Sequence, residues 1–203
     1  MGIPPEMTWL TSGSWQFDDL SRKRMESAID LLRGEMILDV GCRDGTFALE
    51  VAKRFPNRTV HGFDTDASSI AWANDHAGEN MTFFEDDMLT PKMPWTSAYD
   101  TVVCMETLEH LPPQRVEDAH NRLLSFLKPG GRLIISVPAN THISDEDHKT
   151  VFYRESLYGK DGIRWSETCP HLWMMFYIDT PKSQSSKDGP GRESGPPDSG
   201  ATS

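Results

Sequence analysis

Cysteine is scarce in this chain of 203 residues: Cys42, Cys104 and Cys169 are far apart and odd in number. A disulfide framework is therefore excluded, and free buried thiols in a reducing compartment are predicted. No stretch approaches the ~20 apolar residues of a membrane helix. The N-terminus lacks the charged-then-apolar layout of a signal peptide. Met1-Gly2 is followed by Glu6 where an acylation signal carries Ser or Thr. These absences predict a cytoplasmic protein without a membrane span. Basic residues are also few, with 20 Lys and Arg against 31 Asp and Glu, a net charge of −11. In the tail Lys182, Lys187 and Arg192 balance Asp188, Glu193 and Asp198, so the negative excess lies upstream. Nucleic-acid binders gain affinity by neutralising phosphates with a basic surface. The charge balance thus counts against DNA or RNA and favours a small-molecule substrate.

From Pro181 onward Ser, Gly and Pro dominate and Ala201 is the sole apolar residue. A disordered tail is predicted over 181–203. Upstream, Phe17, Leu20, Met25, Ile29 and Leu32 recur at near-helical spacing, which predicts an amphipathic helix at the end of an N-terminal segment, 1–35. Residues 36–180 have the length of one α/β domain.

Within that domain, Ile37-Leu-Asp-Val-Gly-Cys-Arg-Asp-Gly-Thr46 is an apolar run that ends in an acid, turns through two glycines and opens a helical pattern. Glycine permits close backbone approach to a ligand, and a helix start offers unpaired N–H groups. Val60–Asp64 and Met81–Asp87 read as further strands ending in acids, and Tyr99–Met105 as a fourth. Helices are predicted over Ala67–His76, started by Asp66, and from Pro112-Pro113 to Leu127. Lys128-Pro-Gly-Gly131 then makes a turn before a fifth strand to Pro138, Arg154–Tyr158 suggests a short helix, and Ile163–Cys169 and Leu172–Asp179 complete seven strands. Strands alternating with helices make a Rossmann-like, doubly wound, mostly parallel sheet. The dehydrogenase fingerprint Gly-x-Gly-x-x-Gly is not met, because its second and third glycines are missing.

The Leu-Asp-Val-Gly loop together with Lys-Pro-Gly-Gly resembles the class I S-adenosylmethionine (SAM)-dependent methyltransferases across roughly residues 36–180. That resemblance implies an antiparallel last strand. It also implies a SAM site in which Asp39 lies beneath the loop, Gly41 and Gly45 line the methionine portion, and Asp64 accepts the ribose hydroxyls. Asp87 followed by Met88 matches the adenine position, with Asp86 as the alternative one residue away. Asp64 has a plainer reading as a solvated acid capping the next helix. One departure from the family pattern is Arg43, which stands where the family has a glycine. Its side chain either crowds the amino-acid end of SAM, pairs with the cofactor's carboxylate, or points to solvent.

Glu106-Thr-Leu-Glu-His110 follows strand four, where the family places substrate and catalytic groups. In a helix, Glu106, Glu109 and His110 would share one face. A second cluster, Asp145-Glu-Asp-His148, follows strand five. This arrangement resembles the ubiquinone-biosynthesis O-methyltransferases and the metal-dependent small-RNA 2′-O-methyltransferases. The resemblance implies His110, Glu106 and His148 as catalytic residues, and Glu106, Glu109, His110 and His148 as ligands of a divalent metal. Mixed oxygen and imidazole donors suit Mg²⁺, Mn²⁺ or Zn²⁺. Trp9, Trp15, Trp95 and Trp173 are either pocket walls or core packing. The leading expectation is methyl transfer to a small molecule at oxygen. The alternatives are a metal-dependent RNA methyltransferase and a non-catalytic SAM-binding partner protein.

Overall fold

The computed structural model describes residues 19–138, 147–153, 164–166 and 173–182. Helix α1 (Asp19–Leu31) precedes an alternation of strands and helices: β1 (Met36–Val40), α2 (Thr46–Arg54), β2 (Thr59–Asp64), α3 (Ala67–Asp75) and β3 (Met81–Glu85). Then come β4 (Tyr99–Met105), α4 (Pro113–Phe126), β5 (Leu127–Pro138), β6 (Arg164–Ser166) and β7 (Trp173–Asp179). The strands form one seven-stranded sheet in the order β3-β2-β1-β4-β5-β7-β6. β1 to β5 are parallel, and β7 lies antiparallel between β5 and β6. This is the doubly wound sheet with an antiparallel last strand that the sequence predicted.

Central parallel strands are covered on both faces, so their sequences are apolar throughout rather than alternating. Ile37, Val103 and Ile134 pack with Ala28 of α1 and with Phe47, Ala48 and Val51 of α2. Their neighbours Leu38, Val102 and Leu133 point to the opposite face and meet Ala119, Leu123 and Phe126 of α4. Each such side chain, fully buried, contributes roughly 1.5–3 kcal/mol.

Lys128-Pro-Gly-Gly131 is not the turn that precedes the fifth strand. It lies within β5, where Tyr99 pairs with Leu127 but Thr101 pairs with Arg132. The extra residues bulge out, and Gly130 takes the left-handed conformation (φ 82°) that this bulge requires. Trp95 is core packing rather than a pocket wall. It is buried, stacked on Phe63 at 5.3 Å, and its Nε1 donates to Asp86 at 2.7 Å. Cys42 and Cys104 are free and buried, as predicted. Cys169, Trp9, Trp15, the Arg154–Tyr158 helix and the tail beyond Lys182 lie outside the described residues.

The chain leaves β1 outward to β2 and β3, whereas β4 and β5 lie on its other side. A crevice therefore opens beyond the carboxyl ends of β1 and β4, where doubly wound sheets bind ligands.

Candidate active site

The loop after β1 is shaped by backbone hydrogen bonds and by two glycines. The N–H groups of Gly41 and Cys42 both donate to the Phe63 carbonyl at the end of β2. Gly41 (φ 72°) lies against Thr107, and a Cβ there would come within 2.4 Å of its Oγ1. Gly45 (φ 75°) caps α2, and a Cβ there would lie 2.7 Å from the Phe83 ring. Both positions require the left-handed backbone and the missing side chain together. Arg43 is also left-handed (φ 49°) and is solvent-exposed, so its side chain does not fill the loop interior.

Asp64 sits at the end of β2 with its carboxylate across this loop. It accepts the Arg43 N–H at 2.9 Å and the Asp66 N–H at 3.0 Å. Capping of α3 falls instead to Asp66, which accepts from Ser68. Asp86 and Asp87 both line the larger cavity but differ in their partners. Asp86 is buried, and both its oxygens are taken by the N–H groups of Asp87, Lys92 and Met93 and by Trp95. Burial opposes its charge, yet these donors hold its carboxyl below the usual range. Asp87 is half-buried, accepts the Leu89 N–H on one oxygen and lines the larger cavity.

Two cavities meet here. The smaller, about 290 Å³, is lined by Asp39, Asp44, Phe47 and Met105, and reaches Ser21 and Met25 of α1. The larger, about 750 Å³, runs past Asp64, Asp87 and Met88 to Glu109, His110 and His148. Gly41, Arg24, Arg43 and Glu106 line both. Among the described residues, Asp39 Oδ2, Asp44 Oδ2 and Glu109 Oε2 are buried carboxylate oxygens without a hydrogen-bond partner. Burial, and then the charges of Asp64 and Asp44, push the Asp39 carboxyl up to about 8. Burial, with the Glu106 charge adding to it, likewise pushes Glu109 up to about 8. A buried polar atom left unpaired is costly, so acids in this state point to a cationic or proton-bearing ligand.

The segment after β4 departs from the predicted helical face. Glu106 is left-handed (φ 48°), and only Leu108–His110 form a 3-10 turn. The backbone twist carries Glu106 away from the other three residues. Its carboxylate accepts from Ser136 Oγ at 2.8 Å and pairs with Arg24 of α1 at 3.1 Å. Glu109, His110 and His148 do come together, each offering a ligand atom within 4.8 Å of the others. The His110 and His148 rings lie 5.0 Å apart, and His110 Nδ1 is 3.3 Å from the Asp147 carbonyl. The Lys149 and Thr150 N–H groups donate to the Glu109 carbonyl and hold the two loops together. Arg24, Asp44 and Ser136 were missed by sequence reasoning. Asp44, an acid between the loop glycines, carried a usable signal, whereas Arg24 reads as one more charge on an amphipathic helix.

Residues 37–131 match the family model described as a methyltransferase domain. The chain is 30% identical over 141 residues to the trans-aconitate 2-methyltransferase of Deinococcus radiodurans, covering 66% of this chain and 51% of the relative. It is 37% identical over 109 residues to the ubiquinone biosynthesis O-methyltransferase of Klebsiella pneumoniae, covering 52% and 43%. The chain thus spans about half the length of the curated relatives it matches. The magnesium protoporphyrin IX methyltransferase of Synechocystis PCC 6803, solved with bound SAM, shares the fold with a TM-score of 0.59 at 18% identity, covering 79% of this chain and 80% of that one. Glycine loop, strand-end acids, sheet order and these likenesses agree in supporting a class I SAM-dependent methyltransferase domain over residues 37–131.

Proposed function

We propose that this chain transfers the methyl group of SAM to a hydroxyl oxygen of a small-molecule acceptor. The observation that carries the reading is the pair of cavities joined at Gly41, with orphaned carboxylate oxygens in both. When bound, SAM supplies an electrophilic methyl group on a sulfonium centre. Asp39 and Asp44 give the ammonium of its amino-acid end an acidic wall, and Gly41 and Gly45 let the backbone approach it. Asp64 holds the ribose, and Asp87 with Met88 holds the adenine.

An oxygen acceptor must lose its proton as it is methylated, and His110 and His148 supply bases at that end of the crevice. A carbonyl only accepts, so the His110 contact with Asp147 requires the proton on Nδ1 and leaves Nε2 as the basic nitrogen. The relatives named for O-methylation support oxygen as the acceptor atom. The excess of acids over bases, −11 overall, supports a small molecule over a polyanion.

The cluster of Glu109, His110 and His148 supports a second, metal-assisted reading. Its donor set fits Mg²⁺, Mn²⁺ or Zn²⁺, and Glu109 Oε2 has no other partner. A divalent ion held there would supply Lewis acidity that lowers the pKa of an acceptor hydroxyl. The test is transfer of labelled methyl from SAM to a panel of phenols, catechols and aliphatic alcohols, with and without EDTA. Turnover on a hydroxyl compound is expected, reduced roughly 100-fold or more by His110→Ala. Loss of turnover with EDTA would select the metal-assisted form. Methylation of amines alone, or of nothing while SAM binds, would overturn the proposal and favour a non-catalytic binding role.

A further inference from the structure

Two arginines line both cavities, and they are not equivalent. Arg24 reaches in from α1 and is committed to the Glu106 carboxylate at 3.1 Å. Arg43 makes no side-chain ion pair or hydrogen bond among the described residues, although Asp64 and Asp44 stand beside it. Its backbone N–H, not its guanidinium, is what meets Asp64. Arg43 also occupies a left-handed position between two left-handed glycines, where glycine would sit without strain. Among the described residues the Arg43 guanidinium is thus uncommitted, on an exposed residue that lines both cavities, in a chain where acids outnumber bases.

We propose that Arg43 is a carboxylate-recognising residue of this site. Guanidinium matches carboxylate geometry with two parallel hydrogen bonds, which a lysine ammonium cannot reproduce. A carboxylate reaches the junction from one of two sources, the amino-acid end of the cofactor or an acidic acceptor. The inference rests on the SAM-binding reading above, and its test separates the two.

The test uses calorimetry on the full chain and on Arg43→Gly, which accepts the same backbone conformation and so keeps the fold. Three titrants are used: S-adenosylhomocysteine, 5′-methylthioadenosine, which lacks the amino acid, and citrate added to the S-adenosylhomocysteine complex. Binding of 5′-methylthioadenosine to the unaltered chain checks the nucleoside site by itself, so its failure would speak against SAM binding rather than against Arg43. If the carboxylate is the cofactor's, Arg43→Gly weakens S-adenosylhomocysteine roughly tenfold or more and leaves 5′-methylthioadenosine unchanged. If it is the acceptor's, both nucleosides bind as before and citrate binding to the complex is lost. Arg43→Lys should recover only part of either effect. Unchanged affinity for all three titrants in Arg43→Gly would overturn the proposal.

Discussion

Asp39 lines the smaller cavity at a cost to the fold. It is 3% exposed, its Oδ2 is unpaired, and burial pushes its carboxyl up to about 8. An unfolded aspartate titrates near ~3.9. The folded state therefore holds this proton more tightly than the unfolded chain does. The stability that follows is fully present below about pH 4 and is lost as pH rises through about 8. Asp39→Asn removes the charge and keeps the shape. Its melting temperature should overtake that of the unaltered chain by roughly 2–4 °C at pH 8.5, with a smaller gap at pH 5. A gap that does not widen with pH would mean that Asp39 is not forced to ionise in a dry site. Arg43 and Glu106 carry the same trade in backbone form, since a left-handed side-chain-bearing residue costs roughly 1–2 kcal/mol.

Among the elements, the segment between β3 and β4 couples the core to the larger cavity. Asp86 gathers the N–H groups of Lys92 and Met93 and the Trp95 indole, so the loop folds around one buried carboxylate. Trp95 in turn lies against Phe63, Phe84 and the partly buried His61, whose Nδ1 meets Tyr99 Oη at 2.8 Å. Asp87 and Met88 are thereby held at the mouth of the larger cavity. Trp95→Phe keeps most of the aromatic packing and deletes the bond to Asp86. It should cost ~1–3 kcal/mol in denaturant unfolding and also weaken S-adenosylhomocysteine several-fold. Stability lost with affinity untouched would show that the loop's anchor and its ligand residues are independent. The sequence pointed to Asp87 and Met88 but not to the anchor that holds them, because Glu85-Asp86-Asp87 is three similar acids and Trp95 one of several tryptophans. Strands β1, β4 and β5 were legible because burial on both faces leaves largely apolar runs. The Glu106 arrangement was not, because helical spacing assumes a regular backbone and φ is 48° there.

Across the whole molecule, the parts that make the site come from every level of the sheet. α1 brings Arg24, β1 the glycine loop, β2 and β3 their terminal acids, β4 the Glu106–His110 segment, and β5 Ser136. The far edge contributes by holding β5 in place. Buried Arg132 makes two bonds to Asp179 of β7, at 2.7 and 3.0 Å, and a third to the Leu31 carbonyl at the end of α1. Topology of this kind follows from alternating strands and helices, and it was predictable. Side-chain meetings such as Arg24 with Glu106, 82 positions apart, depend on packing that no local pattern encodes. On the reading proposed above, this crevice binds SAM through its strand-end acids. Titration calorimetry of S-adenosylhomocysteine into the protein and into Asp64→Ala tests it most directly. Micromolar one-to-one binding is expected, weakened roughly 10–100-fold in the variant with its melting temperature nearly unchanged. Absence of binding, or an affinity within twofold in Asp64→Ala, would contradict it.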